Sequence, residues 1–351
     1  MELGSDFELD VSELNYCNDH IFSYLEPYHT LYMDSGRSAA KLLNTMIPEG
    51  VILLPSYICD SVISVYRERF AIRFYKVHKN FMIDWGDMES KLDNQVTAVY
   101  LMHYFGQLQS EEFLKKLDKK KQEYGFLIIE DTTHSIFTKS KTLGDYCICS
   151  LRKWFPVMDG GVLYAEQSLD EISLAGIQKK RPSAKLEAMI LKKLYLEGQL
   201  ECNAVYRKIF GEVEEKLNMQ KNVYQMSDIS KAMLCCFSIS EIKRKRMENY
   251  ENIAEFISKN DLESALNGKG FVPLVYPIYI EDRDRFRKVM EQNRIYCALH
   301  WPIKGTELEK NYDAEIIYRN LISLPIDQRY DKEHMAYMKE QIECYLEMRS
   351  H

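Results

Sequence analysis

Residues 126–161 read FLIIEDTTHSIFTKSKTLGDYCICSLRKWFPVMDGG, and this stretch decides the fold. Its opening run, Phe126 to Ile129, has no polar face, the pattern of a strand buried on both sides of a parallel sheet. Asp131 follows almost at once, with His134 three residues on. A second strand-like run, YCICSLRKW at 146–154, carries Ser150 and Lys153, and a third, GGVLYA, occupies 160–165. Too little chain separates these two for a crossover helix. They are expected as tightly joined neighbours, antiparallel at the sheet edge.

Towards the N-terminus the same alternation continues. SEEFLKKLDKKKQEY at 110–124 has a sparse apolar stripe among charges and reads as a crossover helix delivering the chain to FLII. Before it come the strand runs TAVYLMHYF (97–105), AIRFYKV (71–77) and VILLPSYI (51–58). A helix from Asp60 to Arg69 and a short one after Asp84 separate them, and a helix opened by SGRSAA at Ser35 is stopped by PEG at 48–50. Towards the C-terminus, 183–219 and 228–260 read as long helices, the second carrying a charge cluster about Arg244 that is expected to be a solvated face. VPLVYPIYI, DRFRKVMEQ, IYCALHW, LISLPI and a helix from Asp331 then form a second set of strands and helices. The expected fold is α/β, a three-layer sandwich on a mostly parallel central sheet, with a smaller C-terminal α+β domain. The expected boundaries are 1–235 for the large domain and 236–351 for the small one.

The 351 residues carry 46 Lys plus Arg against 53 Asp plus Glu, a formal net charge of -7, which excludes a generally basic nucleic-acid binder. No apolar run approaches the roughly 20 residues of a membrane helix. The opening MELGSDFELDVSELNYCNDH is acidic where a signal peptide would be basic and then apolar, so a cytoplasmic protein is expected. Nine cysteines are too dilute for a disulfide scaffold, and no Cys or His spacing offers a four-ligand zinc cage.

Ligands of open parallel sheets lie beyond the carboxyl ends of the strands, and three capable features fall there. Asp131 is expensive to bury unless a cation pairs with it, its plainer role being a helix cap. Lys153 lies between an apolar strand and KWFP, where partial desolvation would lower the amine's pKa and make it nucleophilic; the plainer reading is a surface lysine. Ser35-Gly36-Arg37-Ser38 opens a helix whose free amides can take a phosphate, though neither GxxxxGK nor GxGxxG is present, and a simple N-cap is the plainer reading. A phosphate cup, an acid for a ring nitrogen and an imine-forming lysine are together the parts that pyridoxal phosphate demands.

SGRSAA, LPSY at Leu54–Tyr57, HYFG at His103–Gly106, IIEDTTH and LGDYCICSLRKWFPVMDGG, with SLP late in the chain, resemble the sugar aminotransferases of the DegT/DnrJ/EryC1/StrS family, pyridoxal-phosphate enzymes of the aspartate-aminotransferase superfold. The resemblance covers most of the chain. It implies that Lys153 holds the cofactor as an internal aldimine and shuttles a proton, that Asp131 faces the pyridine nitrogen, and that His134 lies near the ring and its phenolic oxygen. Ser35, Gly36 and Arg37 would take the phosphate with the Ser150 hydroxyl. Tyr57 or Cys59 would lie against the ring face. Two departures stand out: Ser150 and Lys153 are closer than in many relatives, and the family's NxRM segment becomes VYQM at Val223–Met226, with Gln225 in the arginine's place.

The implied reaction is transfer of an amino group from an amino acid, with glutamate the expected donor, to a nucleotide-linked keto-sugar, as in polysaccharide biosynthesis. The implied assembly is a homodimer with shared active sites. Two alternatives remain: a pyridoxal-phosphate aminotransferase or lyase acting on a free amino acid, for which Arg319 is the residue to inspect, and a noncatalytic protein on the same fold.

Overall fold

The computed structural model describes residues 1–138, 142–170, 172–266, 268–301 and 312–349. Its first elements are β1 (Leu3–Gly4), α1 (Ile21–Tyr24), β2 (His29–Met33), α2 (Gly36–Met46), β3 (Val51–Pro55), α3 (Asp60–Tyr66), β4 (Ala71–Tyr75) and α4 (Trp85–Glu89). Then come β5 (Val96–Met102), α5 (Glu111–Tyr124), β6 (Leu127–Asp131), β7 (Tyr146–Cys149), β8 (Gly161–Ala165), β9 (Ala175–Ile177), α6 (Lys180–Leu196) and α7 (Asn203–Met219). The chain continues through β10 (Tyr224–Gln225), α8 (Asp228–Leu234), α9 (Ile239–Lys259), β11 (Glu263–Ser264), β12 (Tyr276–Tyr279) and α10 (Arg283–Gln292). It closes with β13 (Ile295–Tyr296), α11 (Tyr312–Asn320), β14 (Leu321–Leu324) and α12 (Lys332–Arg349).

Internal contacts divide the chain into two compact units, one of Met1–Ser5, Pro48–Leu143 and Glu241–His351, the other of Asp6–Ile47 and Gly144–Ser240. This is a different partition from 1–235 and 236–351, because the C-terminal stretch shares a unit with 48–143.

In the first unit, β4, β3, β5 and β6 lie side by side in that order, all parallel. β3 is buried at every residue, and β5 and β6 at all but one each, which is why those sequences lack polar alternation. The helices α3, α4 and α5 supply the crossovers. Ser110 caps α5 by accepting the Phe113 N–H, and Gly125, at φ +76°, ends it in the left-handed conformation that glycine adopts without penalty. The C-terminal stretch adds the antiparallel sheet β11-β12-β14 and an apolar cluster in which Ile253, Ile278, Phe286, Ile322 and Met338 are buried. β1 pairs with β13 and ties the chain's start to that cluster.

In the second unit the order is β7-β8-β2-β10-β9, antiparallel except for β10 with β9. β7 and β8 are antiparallel neighbours as expected, but β8 has β2 on its other side and is not an edge strand. Three further expectations need correction. The strand expected over 146–154 ends at Cys149, and a single 3-10 turn, Leu151–Lys153, follows. The helix expected over 183–219 is two, because the chain turns left-handed at Gly198 (φ +71°). The helix expected over 228–260 is also two: Cys235 and Cys236 close the last turn of α8 onto the Ala232 and Met233 carbonyls, and the Asp19 carboxylate accepts the Ser240 N–H at the start of α9. Arg244 is exposed between Glu241 and Glu248, as read, whereas Arg246 of the same run is buried and donates to the Leu274 carbonyl.

All nine cysteines are free thiols. Among the described residues no helix is long and apolar enough to cross a membrane, and no cluster of His, Cys, Asp or Glu could hold a metal ion.

Candidate active site

In the first unit the chain runs from β3 outward to β4 and returns on the other side of β3 to β5. The crevice beyond the carboxyl ends of β3 and β5 is therefore a topological switch point, where parallel sheets bind ligands. Tyr57 and Cys59 follow β3, His103 to Phe105 follow β5, and Asp131 ends β6. Asp131 pairs in register with Met102. Tyr100, two residues earlier on β5, shares Met102's face, and its hydroxyl donates to Asp131 Oδ2 at 2.6 Å. The Thr133 N–H donates to Oδ1 at 2.8 Å, a local turn bond and not a helix cap. Burial raises the Asp131 carboxyl above its usual range even though these two donors favour the charged form. A buried carboxylate in that condition is matched to a cationic partner. The Tyr66 hydroxyl is buried with no hydrogen-bond partner among the described residues.

Glu130 points to the opposite face of β6, as strand alternation requires. Its Oε1 accepts from His103 Nε2 at 3.1 Å, and its Oε2 accepts the Leu143 N–H at 2.7 Å. The Gln109 N–H donates to His103 Nδ1, which places the imidazole proton on Nε2, toward Glu130. This buried pair fixes the end of β5 against β6.

His134 is buried with its ring stacked on Phe105 (centroids 5.0 Å, 24°) and on Trp301 (5.8 Å, 18°). Its Nδ1 accepts the Phe105 N–H at 3.4 Å, leaving Nε2 as the proton-bearing nitrogen. Tyr57 is wholly buried in an aromatic cluster of Phe81, Tyr104, Trp301 and Tyr318, and its hydroxyl has no hydrogen-bond partner among the described residues. Cys59 is half-buried at the start of α3, its Sγ 3.0 Å from Ser61 Oγ.

In the second unit, Ser35 caps α2 by accepting the Ser38 N–H at 3.1 Å. No acidic residue occupies the helix's first turn, but the buried Asp34 carboxylate just before it accepts from the Ser38 hydroxyl at 2.6 Å. The turn is pressed against the next elements: a Cβ added at Gly161 would lie 2.1 Å from the Ser35 carbonyl carbon, and one at Gly36 would lie 3.0 Å from the Ser150 Cβ. Only glycine allows Ser35, Gly36 and Ser150 to gather in this way. The Arg37 guanidinium is directed to α7, donating to Asn218 Oδ1 at 2.8 Å, so at this turn Arg37 offers its backbone. We expect Gly161→Ala to cost at least about 1–3 kcal/mol, because backbone must move; a thermal unfolding midpoint equal to the parent's would contradict the close approach.

Ser150 precedes the 3-10 turn and Lys153 ends it, with the Lys153 N–H bonded to the Ser150 carbonyl at 3.2 Å. The partial desolvation expected for Lys153 is not found. Its side chain is exposed, and the core contacts of KWFP are made by Trp154 and Phe155 instead. VYQM forms β10, paired through Gln225 with Met33.

The first unit thus gathers Asp131, His134, Tyr57 and Cys59 near one set of strand ends, and the second gathers Ser35, Gly36, Arg37, Ser150 and Lys153. Tyr100 and Trp301 were not legible in advance. Tyr100's role depends on a register between distant strands, and Trp301 arrives from the far end of the sequence.

No family model and no curated protein matches the chain. Solved structures do. A DegT DnrJ EryC1 StrS aminotransferase from Brucella abortus is 14% identical over 93% of this chain and 88% of its own, with a TM-score of 0.65. The sugar aminotransferase CalS13 from Micromonospora echinospora is 14% identical over 92% and 89%, at 0.63. NtdA from Bacillus subtilis, with bound cofactor PMP, is 16% identical over 92% and 74%, at 0.64. The fold is theirs. It is the three-layer α/β sandwich with a mixed, mostly parallel central sheet that the sequence led us to expect. At such identities the likeness carries architecture, and the chemistry must be argued from the residues.

Proposed function

We propose that the protein is a pyridoxal-phosphate-dependent aminotransferase that moves an amino group from an amino acid, glutamate being the expected donor, to a nucleotide-linked keto-sugar. The observation that carries this reading is Asp131, a buried carboxyl with raised pKa at the end of a parallel strand, oriented by Tyr100 and Thr133 and suited to a protonated pyridine nitrogen. The glycine-lined turn at Ser35 and Gly36 beside Ser150 is suited to a phosphate ester, which agrees with the same cofactor. The fold's likeness to structures named as sugar aminotransferases supports the acceptor class.

When bound, the cofactor supplies an electron sink for the pair left as a proton leaves the carbon beside the amino group. Asp131 would keep the proton on the ring nitrogen. Lys153 Nζ would hold the cofactor at its aldehyde carbon and would be the base that moves the proton at the substrate carbon beside the amino group. Its exposure and its freedom from ion pairs among the described residues leave that side chain able to move. His134, with its proton on Nε2, would donate to the ring's phenolic oxygen, and Ser35, Gly36, Arg37 and Ser150 would hold the phosphate. Cys59, which is partly accessible, is assigned to the ring face in preference to Tyr57, which packs the aromatic cluster. The protein would act in the cytoplasm as a homodimer, with residues 236–351 as its smaller domain.

Glutamate added to the cofactor-loaded protein should bleach its visible absorption, and addition of a nucleotide-linked keto-sugar should restore it. An unchanged spectrum with every amino acid tried would remove the aminotransferase reading. The alternative of a free amino-acid substrate loses its expected anchor. Arg319 is an exposed side chain paired with Glu315 at 2.6 Å, so Arg319→Ala should leave the donor KM unchanged and stability within about 0.5 kcal/mol of the parent. A large rise in donor KM would revive the alternative.

A further inference from the structure

An amphipathic helix ordinarily buries leucine and isoleucine, yet α6 buries Arg181, Lys185 and Lys192 while Ile190 stays exposed. Lys192 is answered by Glu8 at 3.0 Å. Arg181, 1% exposed, donates from Nη2 to Asp34 at 2.6 Å, and its Nε and Nη1 have no partner among the described residues. Arg152, from the 3-10 turn, donates from Nη1 to Glu214 at 2.5 Å, and its Nε is likewise buried without a partner among them. Lys185 lies one helical turn beyond Arg181, is 7% exposed, and has no hydrogen bond or ion pair among the described residues.

Buried donors without acceptors each cost of order 1–3 kcal/mol, more when charged. Here Arg152 and Arg181 carry that deficit, and Lys185 lies near them without an ion pair among the described residues. We infer that Arg152, Arg181 and Lys185 form an enclosed binding site for a small tetrahedral oxyanion, free phosphate or sulfate. Arg181 Nη1, the Nε–H groups of Arg181 and Arg152, and the Lys185 amine are the donors offered to such an ion. The near-complete burial of Arg181 and Lys185 favours a free ion over a phosphate carried on a larger molecule. The electrostatics agree. Burial, with Arg152 and Arg181 beside it, brings the Lys185 amine down to about 8, although Asp6 and Glu214 oppose the change. Burial works against the Glu214 carboxylate too, and Arg152 nevertheless holds it at about 2. An anion among these cations would raise Lys185 again. The inference does not depend on the aminotransferase reading.

The test is calorimetric titration and thermal unfolding of the full chain, free of cofactor, with inorganic phosphate and with sulfate. The parent should bind both ions and unfold at higher temperature in their presence, and glycerol phosphate should bind at least tenfold more weakly. Sulfate, which does not titrate, should bind less tightly as pH rises from 7 to 9 and Lys185 loses its proton. Lys185→Met should unfold at a higher temperature than the parent in anion-free buffer and should lose at least tenfold in anion affinity; Lys185→Gln serves if Met does not fold. Ser150→Ala, which alters the turn proposed for the cofactor phosphate, should keep the site. No binding by the parent, binding that survives both Lys185 variants, or binding lost in Ser150→Ala alone would each overturn the inference. Equal affinity for glycerol phosphate would overturn the enclosure.

Discussion

Lys153→Ala should fold as the parent does and lose transamination by at least about a thousandfold. The first half follows from the structure: the side chain is exposed, and surface changes away from special features rarely move stability by more than about 0.5 kcal/mol. The second half follows from the role proposed, since a positioned acid–base group contributes roughly 10²–10⁴-fold and covalent attachment of the cofactor would vanish as well. Steady-state turnover beside a thermal unfolding midpoint separates the two. Parent-like turnover in a folded variant would show that another group performs the chemistry.

Asp131→Ala should weaken cofactor binding by at least about a hundredfold, because removing one member of a buried ion pair costs about 3–5 kcal/mol. Equilibrium dialysis of the cofactor against the folded variant measures this. The pH dependence gives an independent check. In cofactor-free protein, burial raises the Asp131 pKa, so the folded state holds its proton more tightly than the unfolded chain. That contribution to stability is present at low pH and is lost as pH rises from about 4 through the raised folded value. A bound pyridinium reverses the shift. The unfolding midpoint of cofactor-loaded protein should therefore draw away from that of the free protein as pH rises through this window, and Asp131→Ala should abolish the divergence. Unaltered cofactor affinity in the variant would remove Asp131 from the site.

The parallel strands were legible because burial on both faces leaves an unbroken apolar run, and β3, β5 and β6 are such runs. The helix starts at Ser35, Asp84 and Ser110 were legible for a local reason too: a cap needs only residues within one turn. Helix length was overestimated at both interruptions. The end of α6 depends on a single left-handed glycine, and the start of α9 on a carboxylate from Asp19, more than two hundred residues away. The setting of Asp131 was visible only in part. The residue marks itself by following FLIIE, but the Tyr100 hydroxyl that orients it reaches it through strand register, and periodicity within either strand does not reveal that register. Lys153 illustrates the opposite error. KWFP looked able to desolvate the amine, but the 3-10 turn sends the aromatic rings inward and the lysine outward.

Borohydride reduction of the protein loaded with pyridoxal phosphate, followed by peptide mass spectrometry, tests the central assignment most directly. The account predicts that the cofactor becomes fixed to Lys153 and that Lys153→Ala takes up no label. Label fixed instead at Lys185, the buried amine with the lowered pKa, or at no lysine, would contradict it.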